Sequence, residues 1–203
     1  IYNEVDIRNE KNRVMPGSVS ESFDGVILGN IGRLVEQKGQ DYLVQLARRL
    51  KDNGIRFKIL IAGSGKLEHD LKSYAQRLGV EDEVVFLNFI EDIHSFIQSI
   101  DIFIFPSLHE GSSHTLLEVM AAKKPVVAFN ISSIPEIVEH NKNGFLVEKG
   151  DTENLYKYVS ELIDREDLRK SFGLEGRKKI EHEFNSNRGI NKLIRLINPV
   201  GEP

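Results

Sequence analysis

"GVILGNIGRLVEQKGQDYLVQLARRLKDNG", Gly25 to Gly54, is the stretch from which the fold can be read. It opens on a short apolar run, crosses the glycine-bounded loop "GRLVEQKG" (Gly32 to Gly39) and continues in helical periodicity. Tyr42, Leu43, Leu46, Ala47 and Leu50 recur at the spacing of one helical stripe, while Arg48, Arg49 and Lys51 fall off it. Gly54 then ends the helix. Strand, loop, helix is the unit.

Outward from Gly54 the unit recurs four more times. "FKILIAGSG" precedes "KLEHDLKSYAQRLG", "VVFLNF" precedes "DIHSFIQSI", "IFIFPS" precedes "TLLEVMAAKK", and "PVVAFN" precedes "IPEIVEHN". Near-continuous apolar strands alternating with helices specify an α/β domain, a parallel sheet covered by helices on both faces. From Thr152 to Ile197 the chain turns mainly helical, with "FNSNRG" interrupting it near Asn185. The expected organisation is a linker over 1–24, broken by "MPGS", a sheet domain over 25–184, and a C-terminal helix and tail over 185–203. Beginning at Ile1 rather than Met, the chain reads as a piece of a longer protein.

Composition narrows the function. The 27 Lys+Arg against 31 Asp+Glu give a formal charge of -4, which argues against a surface built to neutralise nucleic-acid phosphates. Without cysteine there is no disulfide framework, no thiolate catalysis and no cysteine-ligated zinc. No apolar run reaches the roughly 18 to 20 residues of a spanning helix, so cytoplasm is the default location.

Ligands of open parallel sheets gather at the carboxyl ends of the strands, in the strand-to-helix loops. In "GRLVEQKG" the glycines let the backbone approach a ligand while Arg33 and Lys38 flank it; a planar fork and a point charge suit a diphosphate. The competing reading is a plain loop with solvated cations. "AGSGK" lacks the spacer and hydroxyl of a P-loop, and Glu68 stands where a dinucleotide fingerprint from Gly63 needs its third glycine. Gly63 and Gly65 therefore read as a tight turn.

"EGSSHTLLE", Glu110 to Glu118, follows the fourth strand. Thr115 with Glu118 three residues on is a capping-box pattern, which starts a helix at Thr115 and gives Glu118 a structural role. Gly111, Ser112, Ser113 and His114 then expose backbone N–H groups at a helix N-terminus, a site for an anion. Glu110 is left for a neutral partner, and sugar hydroxyls fit a carboxylate that accepts two bonds. Metal is not expected: no H-E-x-x-H and no D-x-D pair occurs, and His109 and His114 do not share a helical face. No G-x-S-x-G elbow surrounds Ser112 or Ser113. Arg177, Lys178 and Lys179 read as a solvated helix face.

Taken in order, "GRLVEQKG", "LIAGSG", "VVFLNFIED", "DIFIFPSLHEGSSHTLLEVMA", "KKPVVAF" and "IPEIVEHNKNGFLVEKGD" resemble the donor-binding domain of retaining GT-B glycosyltransferases of group 1, and "IYNEVD" looks like that family's interdomain linker. The resemblance implies a Rossmann-like half that holds a nucleotide sugar, with the acceptor held by a missing N-terminal domain. It implies that Gly32, Arg33 and Lys38 hold the diphosphate. Glu110 and Glu118 match the paired glutamates that contact the transferred sugar and the ribose. Amides near Thr115 and Leu116 meet phosphate, within a donor-contacting segment that includes Gly111, Ser112, Ser113 and His114. Ile90, and less directly Phe89, lie in the segment that meets the base. Glu110 is the catalytic candidate, as the charged group closest to the sugar. No cofactor or metal is implied; the donor is a UDP- or GDP-sugar, and the acceptor a glycan or lipid. Association with a membrane would come through the missing half.

The sequence departs from the family pattern where Asn88 and Lys123 replace glycines and Ser132 and Ser133 replace a glycine pair. Alternatives are a GT-B relative that hydrolyses or epimerises nucleotide sugars, and a non-catalytic glycan- or protein-binding module. The set Arg33, Lys38, Glu110 and Glu118 counts against the module.

Overall fold

The computed structural model describes residues 23–110 and 113–183. The linker expected before Phe23, the break at "FNSNRG", the tail over 185–203, and Gly111 and Ser112 lie outside them. The strands are β1 (Val26–Ile31), β2 (Phe57–Ala62), β3 (Val84–Phe86), β4 (Ile102–Phe105), β5 (Val126–Phe129) and β6 (Gly144–Val147). The helices are α1 (Gln40–Asp52), α2 (Glu68–Leu78), α3 (Ile93–Ser99), α4 (His114–Ala121), α5 (Ile134–Ile137), α6 (Thr152–Asp164) and α7 (Glu166–Glu183), with one 3-10 turn at Glu36–Lys38. All pairings are parallel, in the order β3-β2-β1-β4-β5-β6.

Side chains alternate across this sheet with the two-residue period of a strand, and both faces are buried. Leu28, Ile59, Ile61, Ile102, Ile104, Val127 and Phe129 pack with α1 and α6 on one face. Ile27, Leu60, Phe103, Phe105, Val126 and Ala128 pack with α3, α4 and α5 on the other. This is the Rossmann-like arrangement expected from the strand-to-helix alternation. Phe23 already packs against the second cluster, and Asp24 pairs with Arg56 at 3.0 Å.

A sixth strand lies beyond the five alternations. Its four residues follow a four-residue helix, too short to show helical periodicity, so nothing local marked a new unit. Gly144 is required there: a Cβ would come within 2.5 Å of the Val126 carbonyl oxygen across the sheet.

The basic cluster on α7 corrects the solvated-face expectation. Arg177 is 5% exposed and donates from Nη1 to the Ala121 carbonyl at 2.7 Å, satisfying one of the carbonyls that the end of α4 leaves without a helical partner. Lys179 pairs with Glu139 at 2.8 Å; with Lys142 it holds that carboxyl down to about 2 through hydrogen bonds to both amines. Lys178 remains exposed.

The glycine departures acquire a physical meaning. Asn88, Lys123 and Ser132 have φ of 57°, 60° and 46°, the left-handed region where glycine is unstrained. Lys123 closes α4 in a Schellman pattern, donating its N–H to Met120 while Lys124 N–H donates to Val119, both at about 3 Å. Its side chain is exposed. Lys123→Gly is therefore expected to raise stability by about 1 kcal/mol, roughly 3 °C in Tm for a domain of this size. A thermal melt checks it, and an unchanged or lowered midpoint contradicts the strain assigned to Lys123.

Candidate functional site

Chain order reverses between β1 and β4, and the crevice of an open parallel sheet forms outside the carboxyl ends of such a pair. Beyond Gly29 and Phe103 the two strands stop pairing through their backbones. Asn30, 3% exposed, fills the widening gap by donating from Nδ2 to the Ile104 carbonyl at 2.9 Å.

The loop after β1 is then clamped from both sides. Towards β2, Gly32 N–H donates to Ala62, Leu34 N–H to Ser64, and Leu67 N–H to Leu34, at 3.0, 3.0 and 3.1 Å. Gly63 and Gly65 permit this approach: a Cβ on either would lie 2.0 Å from the Gly32 oxygen or 2.4 Å from the Leu34 oxygen. Their place is thus to admit another backbone, more than to turn the chain. Towards β4, Leu108 N–H donates to Gln37 O at 2.8 Å and Gln37 Nε2 donates to His109 O at 2.9 Å. Gln40, at the first turn of α1, holds the Arg33 carbonyl from Nε2 at 3.0 Å. Asn30, Gln37 and Gln40 were not singled out in the sequence; only Asn30, polar within an apolar run, carried a local signal.

The clamp brings Lys38 onto Glu110. Lys38 Nζ donates to Oε2 at 2.8 Å and Oε1 at 3.1 Å, with the two side chains 19% and 11% exposed. The ammonium also lies 5.7 Å from the centre of the Phe105 ring. Gly32 faces the Lys38 stem, since a Cβ there would sit 3.5 Å from its Cδ. Gly32, Lys38 and Glu110 therefore form one cluster across the crevice.

Arg33 belongs to the same loop but is exposed, and its guanidinium makes no hydrogen bond or ion pair with a described residue. In the loop after β3, Asn88 accepts from Gly63 N–H at 2.7 Å, Ile90 is half-buried against the sheet, and Phe89 is 75% exposed. No hydrogen bond or ion pair among the described residues links Arg33 or Ile90 to Glu110, whose carboxylate is held by Lys38.

The expected capping box does not form. Ser113, buried, is the N-cap, and its Oγ accepts from Leu116 N–H at 3.4 Å, so α4 starts at His114 and its third position is an apolar residue that cannot reciprocate. Two hydroxyl residues, Ser113 and Thr115, compete for one cap, and Ser113 is the one whose oxygen accepts from a first-turn amide. Glu118 is thereby released from the capping role. It sits one turn along α4 from His114, half-buried, and its carboxylate makes no hydrogen bond or ion pair with a described residue. Burial pushes its carboxyl above the ordinary carboxylate value, against a smaller downward pull from His114.

Among the described residues no group of three or more His, Asp or Glu is placed to hold a metal ion, and no helix is long and apolar enough to cross a membrane. A groove of about 580 Å³ runs along α6 between Arg49, Tyr156, Ser160 and Arg165, but none of its residues belongs to the loops at the carboxyl ends of the strands.

The profile of the family described as Glycosyl transferases group 1 matches residues 19–179. The chain is 32% identical over 164 residues to the capsular polysaccharide biosynthesis glycosyltransferase CapM of Staphylococcus aureus, covering 80% of this chain and 43% of CapM. It is 34% identical over 176 residues to the amylovoran biosynthesis glycosyltransferase AmsK of Erwinia amylovora, covering 83% and 43%. Among solved structures, a variant of S. aureus TarM in complex with Fondaparinux, alpha-GlcNAc-glycerol and UDP matches with a TM-score of 0.77 and 25% identity, over 98% of this chain and 39% of its own. The chain spans less than half the length of each of these proteins. A profile match over most of the residues, on a parallel sheet whose order reverses at the crevice, leads to one conclusion: the chain belongs to the glycosyl transferases group 1 family.

Proposed function

We propose that this chain is the donor-binding half of a retaining GT-B glycosyltransferase that moves a hexose from a UDP- or GDP-sugar to a glycan or lipid acceptor. The observation that carries this reading is the meeting of Lys38 and Glu110 at the β1–β4 crevice. A sugar diphosphate presents an anion beside a row of neutral hydroxyls, and this site sets a cation beside a carboxylate. Lys38 and Arg33 take the diphosphate, and Glu110 accepts from hydroxyls of the transferred sugar. The carboxylate of Glu118, unpaired among the described residues, suits the ribose hydroxyls, and the backbone around Ile90 takes the base. First-turn amides of α4 at Thr115 and Leu116 add positive potential towards the phosphates. His114 and Ser113, with Gly111 and Ser112, complete the segment that wraps the donor.

In the proposed reaction the bond between the anomeric carbon and the diphosphate oxygen breaks while the acceptor oxygen bonds to that carbon on the same face, and the acceptor hydroxyl proton passes to the departing diphosphate oxygen. Negative charge grows on the departing diphosphate, where two cations and a helix end stabilise it without a metal. The acceptor comes from an N-terminal domain that this chain does not include.

Calorimetric titration of the chain with UDP, GDP, ADP and their hexose derivatives tests the reading. Binding to one base class is the expected outcome; no binding of any of them at millimolar concentration overturns it. In the complete enzyme, an inverted anomeric centre in the product, read by NMR, overturns retention.

A further inference from the structure

The Lys38–Glu110 pair joins two groups that the proposed reaction directs to different parts of one donor. Lys38 Nζ donates to both carboxylate oxygens, at 2.8 and 3.1 Å. An ammonium has three protons, so one held on two carboxylate oxygens has little left for a diphosphate. We propose that Glu110 competes with the diphosphate for Lys38, so that the site discriminates between an intact nucleotide sugar and the bare nucleoside diphosphate left after transfer. This rests on the nucleotide-sugar reading of the site and adds a release function to Glu110.

The cycle follows from satisfying each group in turn. When a nucleotide sugar enters, its hydroxyls donate to the Glu110 oxygens and Lys38 turns to the diphosphate. When the sugar leaves, Glu110 loses those donors in a setting only 11% exposed, where an unpaired carboxylate is costly. It takes Lys38 back. The diphosphate has then lost a cation, which speeds its departure. Because Gln37 is tied to both Leu108 and His109, the two loops keep their spacing and the pair reforms by side-chain rotation alone.

The test is a cycle of variants titrated with inorganic pyrophosphate, with UDP, GDP and ADP, and with their hexose derivatives. Glu110→Gln is expected to bind the accepted nucleoside diphosphate about tenfold tighter, with slower dissociation, while the matching nucleotide hexose gains nothing. In a Lys38→Met background, Glu110→Gln is expected to change affinity less than about twofold. Equal or weaker diphosphate binding by Glu110→Gln overturns the competition. So does a gain that persists in the Lys38→Met background, which would mark plain charge repulsion. Thermal melts confirm folding, and Glu110→Ala gives the same reading if the glutamine variant does not fold. Binding by the unaltered chain with no gain in the variants removes this proposal alone; no binding by any of them removes the nucleotide-sugar reading as well.

Discussion

Gly63→Ala is expected to cost about 3–5 kcal/mol of stability and to lower the melting temperature by roughly 10 °C. Two effects add. Gly63 has φ of 140°, a conformation open almost only to glycine, and its Cβ would lie 2.0 Å from the Gly32 carbonyl oxygen. That oxygen belongs to backbone clamped on both sides, so it cannot yield as a side chain would. Gly54 is the control: its φ of 69° is also left-handed, yet a Cβ there meets nothing within 4 Å, so Gly54→Ala should cost only about 1 kcal/mol. Chemical denaturation of both variants separates the clash from the torsion. Similar losses in the two would show that the approach of the β1 and β2 loops is not rigid. Folded Gly63→Ala should also lose nucleotide binding, since the displaced loop is the one that carries Lys38.

Lys38→Met should have the largest effect on the site itself. It leaves the Glu110 carboxylate without its cation in a largely buried position, at a cost of about 2 kcal/mol, below the range for fully buried pairs because some water reaches both groups. Adding Glu110→Gln should return most of that loss, because no charge is then left unpaired. Nucleotide-hexose binding should weaken about 10- to 100-fold in Lys38→Met, the value of one charged hydrogen-bonding contact, and nucleoside-diphosphate binding by less, because Glu110 already holds Lys38 when the sugar is absent. Melts of the single and double variants, with titrations of each, provide the check. A single variant as stable as the unaltered chain would mean that the pair is solvated and holds nothing in place.

Much of the fold was legible in the chain because its strands are buried on both faces. "VILGNI", "FKILIA" and "IFIF" are near-continuous apolar runs, and the stripe from Tyr42 to Leu50 has helical period, so their type follows from local pattern. β6 escaped because α5, the element before it, is a single turn. The cap of α4 was misplaced by two residues because Ser113 and Thr115 have the same capping chemistry, and only backbone geometry selects between them. Arg177 was misread because charge pattern does not reveal that its helix face docks against the end of α4.

For the site, residue types and family resemblance pointed to Lys38, Glu110 and Glu118 one by one. Their relations were not legible. Lys38 and Glu110 are 72 residues apart, and Gly63 explains itself only through the Gly32 carbonyl it touches.

Apart from β6, order and kind of the strands and the helices between them were thus determined by the sequence alone, since hydrophobic period, breakers and caps act over a few neighbouring residues. Tertiary structure alone decided that β1 lies beside β4, that the loop after β1 is gripped between two others, and that a lysine meets a glutamate there. Those outcomes depend on which distant strands pair and how closely their backbones approach, and no short-range pattern of residues encodes that contact.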